Sequence, residues 1–129
     1  MSEQLGTKNV RDVSAAFDLL RNARRRGVLY TVNRNGRTSV SELARRIAAW
    51  QSDDRDESAD PTAVETSLVH AHLPKLAAAG VVAYDREEGT VELDGATRDL
   101  DPLLERTRER EPTLVRAART TNLERALEI

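Results

Sequence analysis

The sequence predicts a mainly α-helical domain carrying one small β-hairpin, an α+β class. Three observations lead there. Apolar residues recur at three- and four-residue steps over most of the chain. The helical stretches open on capping signals, such as Asn22, Ser41 and the pair Asp60-Pro61. One segment alone, "VVAYDREEGTVEL" at 81–93, reads as two short β-branched runs around a turn that ends in glycine.

Residues 1–11 are polar and without period, an expected loose arm. From Val13 the spacing of Phe17 and Leu20, then of Ala23, Val28, Leu29 and Val32, predicts two helices or one bent helix, with Asn22 as a cap and an end near "NRNG". Thr38 to Val40 can extend. Ser41 then caps a helix whose buried stripe is Leu43, Ile47 and Trp50. The stretch 52–60 holds five acids against one arginine and reads as a solvated loop. Asp60-Pro61 restarts a helix that runs to Gly80, a residue suited to the left-handed cap that ends helices. Pro74 inside it removes one backbone N–H and crowds the carbonyl of His70, so a bend is expected there. Counting 100° per residue puts Val69, Leu73 and Leu76 on the core face and Thr66, Ser67, His70 and Ala71 opposite. Helical spacing returns beyond Gly95, with Asp101-Pro102 and Pro112 as helix openings.

The chain has 129 residues, enough for one domain and an appendage. Charged residues make up 33% and aromatics 3%, so the core must come from Leu, Val, Ile and Ala around Phe17, Tyr30, Trp50 and Tyr84. Cysteine is absent, which excludes disulfide frameworks, thiolate metal sites and thiol nucleophiles. No apolar run reaches the ~20 residues of a membrane span and the N-terminus lacks a signal-peptide stretch, so a cytoplasmic location without membrane contact is expected. Net charge is only −2, but residues 1–51 carry ten Lys/Arg against four Asp/Glu and the remainder ten against eighteen.

A capped short helix, a second helix and then a hairpin in unbroken succession is the layout of a winged helix-turn-helix module, in which one helix enters a DNA groove and the hairpin lies against the neighbouring backbone. Particular segments also resemble a known family. "HLPKLAAAGVV", His72 to Val82, is similar to the end of the recognition helix and first wing strand of ArsR-type regulators. "FDLLRNARRRGVLYTV" resembles their opening helices and "SVSELARRI" their second helix. The set, with its acidic loop, looks most like small winged-helix proteins of haloarchaea. Eighteen arginines among twenty basic residues and the stretch "SDDRDESAD" suit a GC-rich, salt-tolerant source. The expected organisation is therefore an arm at 1–11, a winged helix-turn-helix domain at 12–95 with an acidic loop at 52–60, and C-terminal helices at 96–129.

The resemblance implies double-stranded DNA as partner and a transcriptional regulator as function. Thr66, Ser67 and His70 occupy the positions that resemble the base-reading face. Arg24, Arg25, Arg26, Arg34, Arg37, Arg45, Arg46 and Arg86 are the candidates for phosphate contact, because affinity for DNA rests on neutralising backbone charge. The run of three arginines reads equally well as a solvated or ion-paired helix face. ArsR-type proteins pair through terminal helices, which implies a homodimer. Phe17, Leu100, Leu103, Leu104, Leu114, Val115, Ala118, Leu123 and Leu127 are its expected interface, with folding back over the chain's own domain as the alternative.

A departure from the family opens a second reading. Where such proteins carry polar residues near Leu68 and Ala71, this chain has an apolar strip of Val64, Leu68 and Ala71. The strip either packs beneath the acidic loop or, like the C-terminal helices, offers a surface that docks another protein, which would make the chain an interaction module without direct DNA binding. Catalysis, cofactors and a resident metal are not expected. His70 and His72 point about 200° apart on a helix and cannot share one ion. The pairs Asp53-Asp54 and Glu87-Glu88 lie in polar turns, and the cysteine ligands of metal-sensing ArsR-type proteins are missing.

Overall fold

The computed structural model describes residues 12–53 and 60–111. The arm at 1–11, most of the acidic loop and the segment 112–129 lie outside the described residues. Helices dominate, with one small antiparallel sheet, so the α+β class holds.

Two helices open the chain, α1 at Val13–Leu20 and α2 at Ala23–Asn35. Asn22 separates them by capping α2, its side chain accepting from the backbone N–H groups of Arg24 at 2.9 Å and Arg25 at 3.2 Å. A two-residue strand, β1 at Thr38–Ser39, leads into α3 at Val40–Asp53. Here the cap is Ser39 and not Ser41: the Ser39 hydroxyl accepts from the N–H of Glu42 at 3.1 Å. The reason is tertiary. Thr38 and Ser39 pair with Val91 and Thr90, and the N–H of Val40 donates to the carbonyl of Gly89, so the chain leaves the sheet at Ser39 and turns helical at once.

Asp60 caps the next helix as its sequence predicts, accepting from Thr62 at 2.9 Å and Ala63 at 3.1 Å, with Pro61 in the first turn. This helix consists of α4 at Pro61–Ser67, a π turn at Leu68–His72 and α5 at Leu73–Ala78. The π turn lies immediately before Pro74. Proline has no N–H to give the carbonyl of His70 and its ring crowds that oxygen, and a wider turn with Leu73 donating back to Leu68 relieves both. It also shifts the phase of the buried stripe. Val64, Leu68, Leu73 and Leu76 are all fully buried, a series whose middle step is five residues. The strip of Val64 and Leu68 therefore belongs to the core of this same chain, and only Ala71 of that set is exposed. Uniform 100° counting missed this because it assumed 3.6 residues per turn throughout.

Gly80, at φ +77°, ends α5 in a left-handed cap: its N–H donates to Ala77 and that of Val81 to Leu76. The hairpin follows as β2 at Val82–Asp85 and β3 at Thr90–Leu93, and the sheet order is β1-β3-β2. The last described helix, α6, spans Thr97–Arg110 and includes Pro102 rather than starting there. Its start is fixed by Thr97, whose hydroxyl donates to the carbonyl of Val81 at 2.7 Å. Leu100 and Leu104 of α6 enter the same core as Val28, Leu29, Leu43, Ile47 and Val91. Helices α2 and α3 approach closely at Gly27, where a Cβ would sit 3.1 Å from Cγ1 of Ile47.

Candidate nucleic-acid interface

The helix from Pro61 to Ala78 turns one side to the core and the other outward. Thr62, Thr66 and His70, four residues apart, form an exposed row with Ala63 and Ala71 beside it. Thr66 spends its hydroxyl proton on the carbonyl of Thr62 at 3.0 Å, so it faces outward as an acceptor. His70 is exposed. Ser67 is half-buried and already engaged: its oxygen accepts from Nη1 of Arg24 at 3.0 Å, while Nε of Arg24 donates to Gln51 at 3.0 Å. Of the three residues expected to face bases, two stand clear and the third is tied to α2.

The arginines divide more sharply. Arg25 keeps only 7% of its surface exposed. Its guanidinium donates to the carbonyls of Leu19 at 2.8 Å and Asp18 at 2.7 Å, and Nη1 donates to Nδ1 of His72 at 3.2 Å. Arg26 holds the carboxylate of Glu111 with two bonds, 2.7 and 2.9 Å, and also donates to the carbonyl of Leu20. The expectation that Arg25 and Arg26 meet phosphate is therefore corrected. They satisfy the last carbonyls of α1, which the break at Asn22 would otherwise leave unpaired. Arg24 is held between Ser67 and Gln51. Arg45 and Arg46 both bond Glu42, one turn earlier on α3.

Arg34, Arg37 and Arg86 remain outward-facing. Arg34 ends α2. Arg37 makes one long bond, 3.5 Å, to the hydroxyl of Thr90 at the hairpin. Arg86 sits in the hairpin turn with its guanidinium 5.7 Å from the ring centre of Tyr84.

The polar links that fix the outward helix also set its titration. A guanidinium can only donate, so Nδ1 of His72 is an acceptor and the neutral ring carries its proton on Nε2. Burial, followed by the charges of Arg25 and Arg24, pushes His72 below the usual histidine range. Beside it Lys75 pairs with Asp18 at 2.7 Å, and that hydrogen bond is the main reason Asp18 sits below the usual carboxylate range. The phenol of Tyr30 is raised to about 12, chiefly by burial, and its single proton is shared between Oγ1 of Thr107 at 2.6 Å and the Glu111 carboxylate at 2.9 Å.

The expected pairing surface divides as well. Leu100 and Leu104 are core residues of their own chain, which corrects their assignment to an interface. Leu103 is partly buried and Phe17 is 56% exposed. Leu114, Val115, Ala118, Leu123 and Leu127 lie outside the described residues. Among the described residues, no three His, Asp or Glu side chains are grouped to hold a metal, and no helix is long and apolar enough to cross a membrane.

These elements define a small α+β domain whose outward helix runs directly into a hairpin. The chain belongs to the family described as Domain of unknown function DUF7344, whose match covers residues 17–92, from α1 to β3. No curated protein and no solved structure matches the chain.

Proposed function

We propose that this protein is a double-stranded-DNA-binding transcriptional regulator of winged helix-turn-helix type, with α3 and the α4–α5 helix as the helix pair and the β2–β3 hairpin as the wing. One observation carries the reading: the row Thr62, Thr66, His70 stands uncovered by the described chain on a helix that continues into an antiparallel hairpin bearing Arg86 at its turn. An exposed row of two threonines and one histidine fits the major groove, where an acceptor hydroxyl can meet an exocyclic amine and an imidazole can meet a base edge. Arg34, Arg37 and Arg86 supply the phosphate contacts. Two copies side by side would read a two-fold site about one helical turn apart.

The rival role as a protein-docking module has less support at Val64, Leu68 and Ala71, because two of the three residues lie in the core, while its other expected surface, the C-terminal helices, lies mostly beyond Glu111, outside the described residues. The test is anisotropy titration of labelled genomic fragments across salt. With Arg34, Arg37 and Arg86 each neutralising one phosphate, the logarithm of affinity should fall against the logarithm of salt with a slope of about −3 per chain. Absence of binding to every fragment, or an affinity indifferent to salt, overturns the reading.

A further inference from the structure

Three polar links tie the middle of the outward helix to α1 and α2. Ser67 accepts from Arg24 at 3.0 Å, Nδ1 of His72 accepts from Arg25 at 3.2 Å, and Lys75 pairs with Asp18 at 2.7 Å. The central link differs from the other two. It closes the π turn at Leu68–His72, and it exists in only one protonation state of its histidine.

A guanidinium has only donors to offer, so Nδ1 of His72 must keep its lone pair. A proton there would set N–H against N–H and a positive ring against a positive fork. Arg25 cannot withdraw: it is buried, and its remaining nitrogens stay on the carbonyls of Leu19 at 2.8 Å and Asp18 at 2.7 Å. His72 is only half-buried, so its ring is the partner that yields. The surrounding charges do not help it. α2 brings Arg24 beside Arg25, and α1 brings Arg21 and Asp18, whose carboxylate is already shared by Lys75 at 2.7 Å and Arg21 at 3.4 Å. α3 brings the uncharged Gln51, bound to Arg24, while its Glu42 is taken by Arg45 and Arg46. On the outward helix itself, Glu65 and His70 are exposed to solvent. Burial, and then the charges of Arg25 and Arg24, disfavour the protonated ring in keeping with this geometry.

We propose that His72 and Arg25 form an acid-sensitive catch: a proton on Nδ1 of His72 drives its ring from the contact and lets the π turn open locally, while Val64, Leu73 and Leu76 keep the flanking turns on the core. The exposed row is held in place only while His72 is neutral, since His70 lies inside the π turn and Thr66 just before it. The device belongs to the fold and stands independently of DNA binding, and its test involves no DNA.

Amide hydrogen exchange of the full-length protein at pH 7.5 and pH 5, each rate divided by the intrinsic rate at that pH, tests the catch. Exchange at His70, Ala71, His72 and Leu73 should quicken about tenfold on acidification, the ratio that one unit of suppressed histidine titration represents. At pH 5 those rates should not respond to low urea, because little surface is exposed by a local opening, whereas rates at Val28 and Leu29 in the core should climb with it. In His72→Gln, which cannot take the charge and keeps an acceptor for Arg25, the acid response should shrink below about twofold. An acid response that survives in His72→Gln, that carries the urea dependence of the core amides, or that is missing from the wild type overturns the proposal. Ring nitrogen spectra give a second arm should His72→Gln not fold. The chain has two histidines, so His70→Gln leaves one ring to follow. Its midpoint should fall below 6.5, with Nδ1 unprotonated in the neutral ring and the amide shifts of the π turn moving at the same midpoint. A midpoint at or above 6.5, a proton on Nδ1 of the neutral ring, or amides that ignore the titration overturns it equally.

Discussion

Arg24, Arg25 and Arg26 at the start of α2, and Arg34, Arg37 and Arg86 around its end and the hairpin, carry the same guanidinium yet are used in opposite ways. The first three reach inward to backbone carbonyls, a serine, a glutamine, a histidine and a glutamate. The last three face water, with a single long bond and a ring contact among them. What separates them is the neighbourhood. The C-terminus of α1 presents unpaired carbonyls just where the first group begins, and a planar fork of donors satisfies several at once. The end of α2 meets only a turn and a hairpin. A dense cluster of cations is thus a bolt between helices here, and the sparse single arginines face solvent.

The largest effect that would break this comparison concerns Arg25. Arg25→Ala strands the carbonyls of Asp18 and Leu19 and should cost about 3 kcal/mol in urea unfolding. A loss of only a few tenths would mean that the inward group is not structural. Tyr30→Phe removes the bonds to Thr107 and Glu111 at the other end of the same bolt and should cost about 1 kcal/mol, read the same way.

Acidification tests the junction between Arg25 and the π turn. Because the folded state holds His72 below its ordinary value of 6.5, the unfolded chain binds the proton more readily. The stabilisation is complete above pH 6.5 and declines as pH falls from there through the lower folded-state value. The urea midpoint measured between pH 7.5 and 5 should drop for the wild type, and His72→Gln, which keeps an acceptor for Arg25, should flatten that drop. Pro74→Ala sharpens the same point. The π turn already absorbs the missing N–H and serves the Leu68-to-Leu73 step, so stability should change by less than about 1 kcal/mol rather than rise by the ~3 kcal/mol of a proline relieved from a regular helix.

The smallest effect on stability belongs to the outward group. Arg34→Ala, Arg37→Ala and Arg86→Ala should each shift unfolding by no more than about 0.5 kcal/mol, while each lowers the magnitude of the DNA salt slope by about 1. A stability loss matching that of Arg25→Ala would erase the distinction between the two groups.

Much of the fold was legible because its signals are local. Asn22 and Asp60 cap where their side chains can reach N–H groups two and three residues on, and Gly80 takes the positive φ that other residues avoid. The hairpin is written in two β-branched runs and a glycine. The outward row at Thr66 and His70 was legible for the same reason, since the opposite side of a helix is defined by the apolar side. Ser39 displaced Ser41 as a cap because β1 finds its partner fifty residues away, and no local pattern carries that pairing. Leu100 and Leu104 read as an amphipathic stripe in need of a surface, but the stripe does not say whose.

By itself the sequence determined which segments are helical, where α2 and α4 begin and where α5 stops, and that a hairpin follows the outward helix, because caps, glycines and apolar spacing act over a few residues. Tertiary structure alone decided the use of each arginine and the burial of Val64 and Leu68. Those outcomes depend on which carbonyls, carboxylates and apolar faces the finished packing brings within about 3 Å of one another, and distances across the chain are not encoded in neighbouring residues.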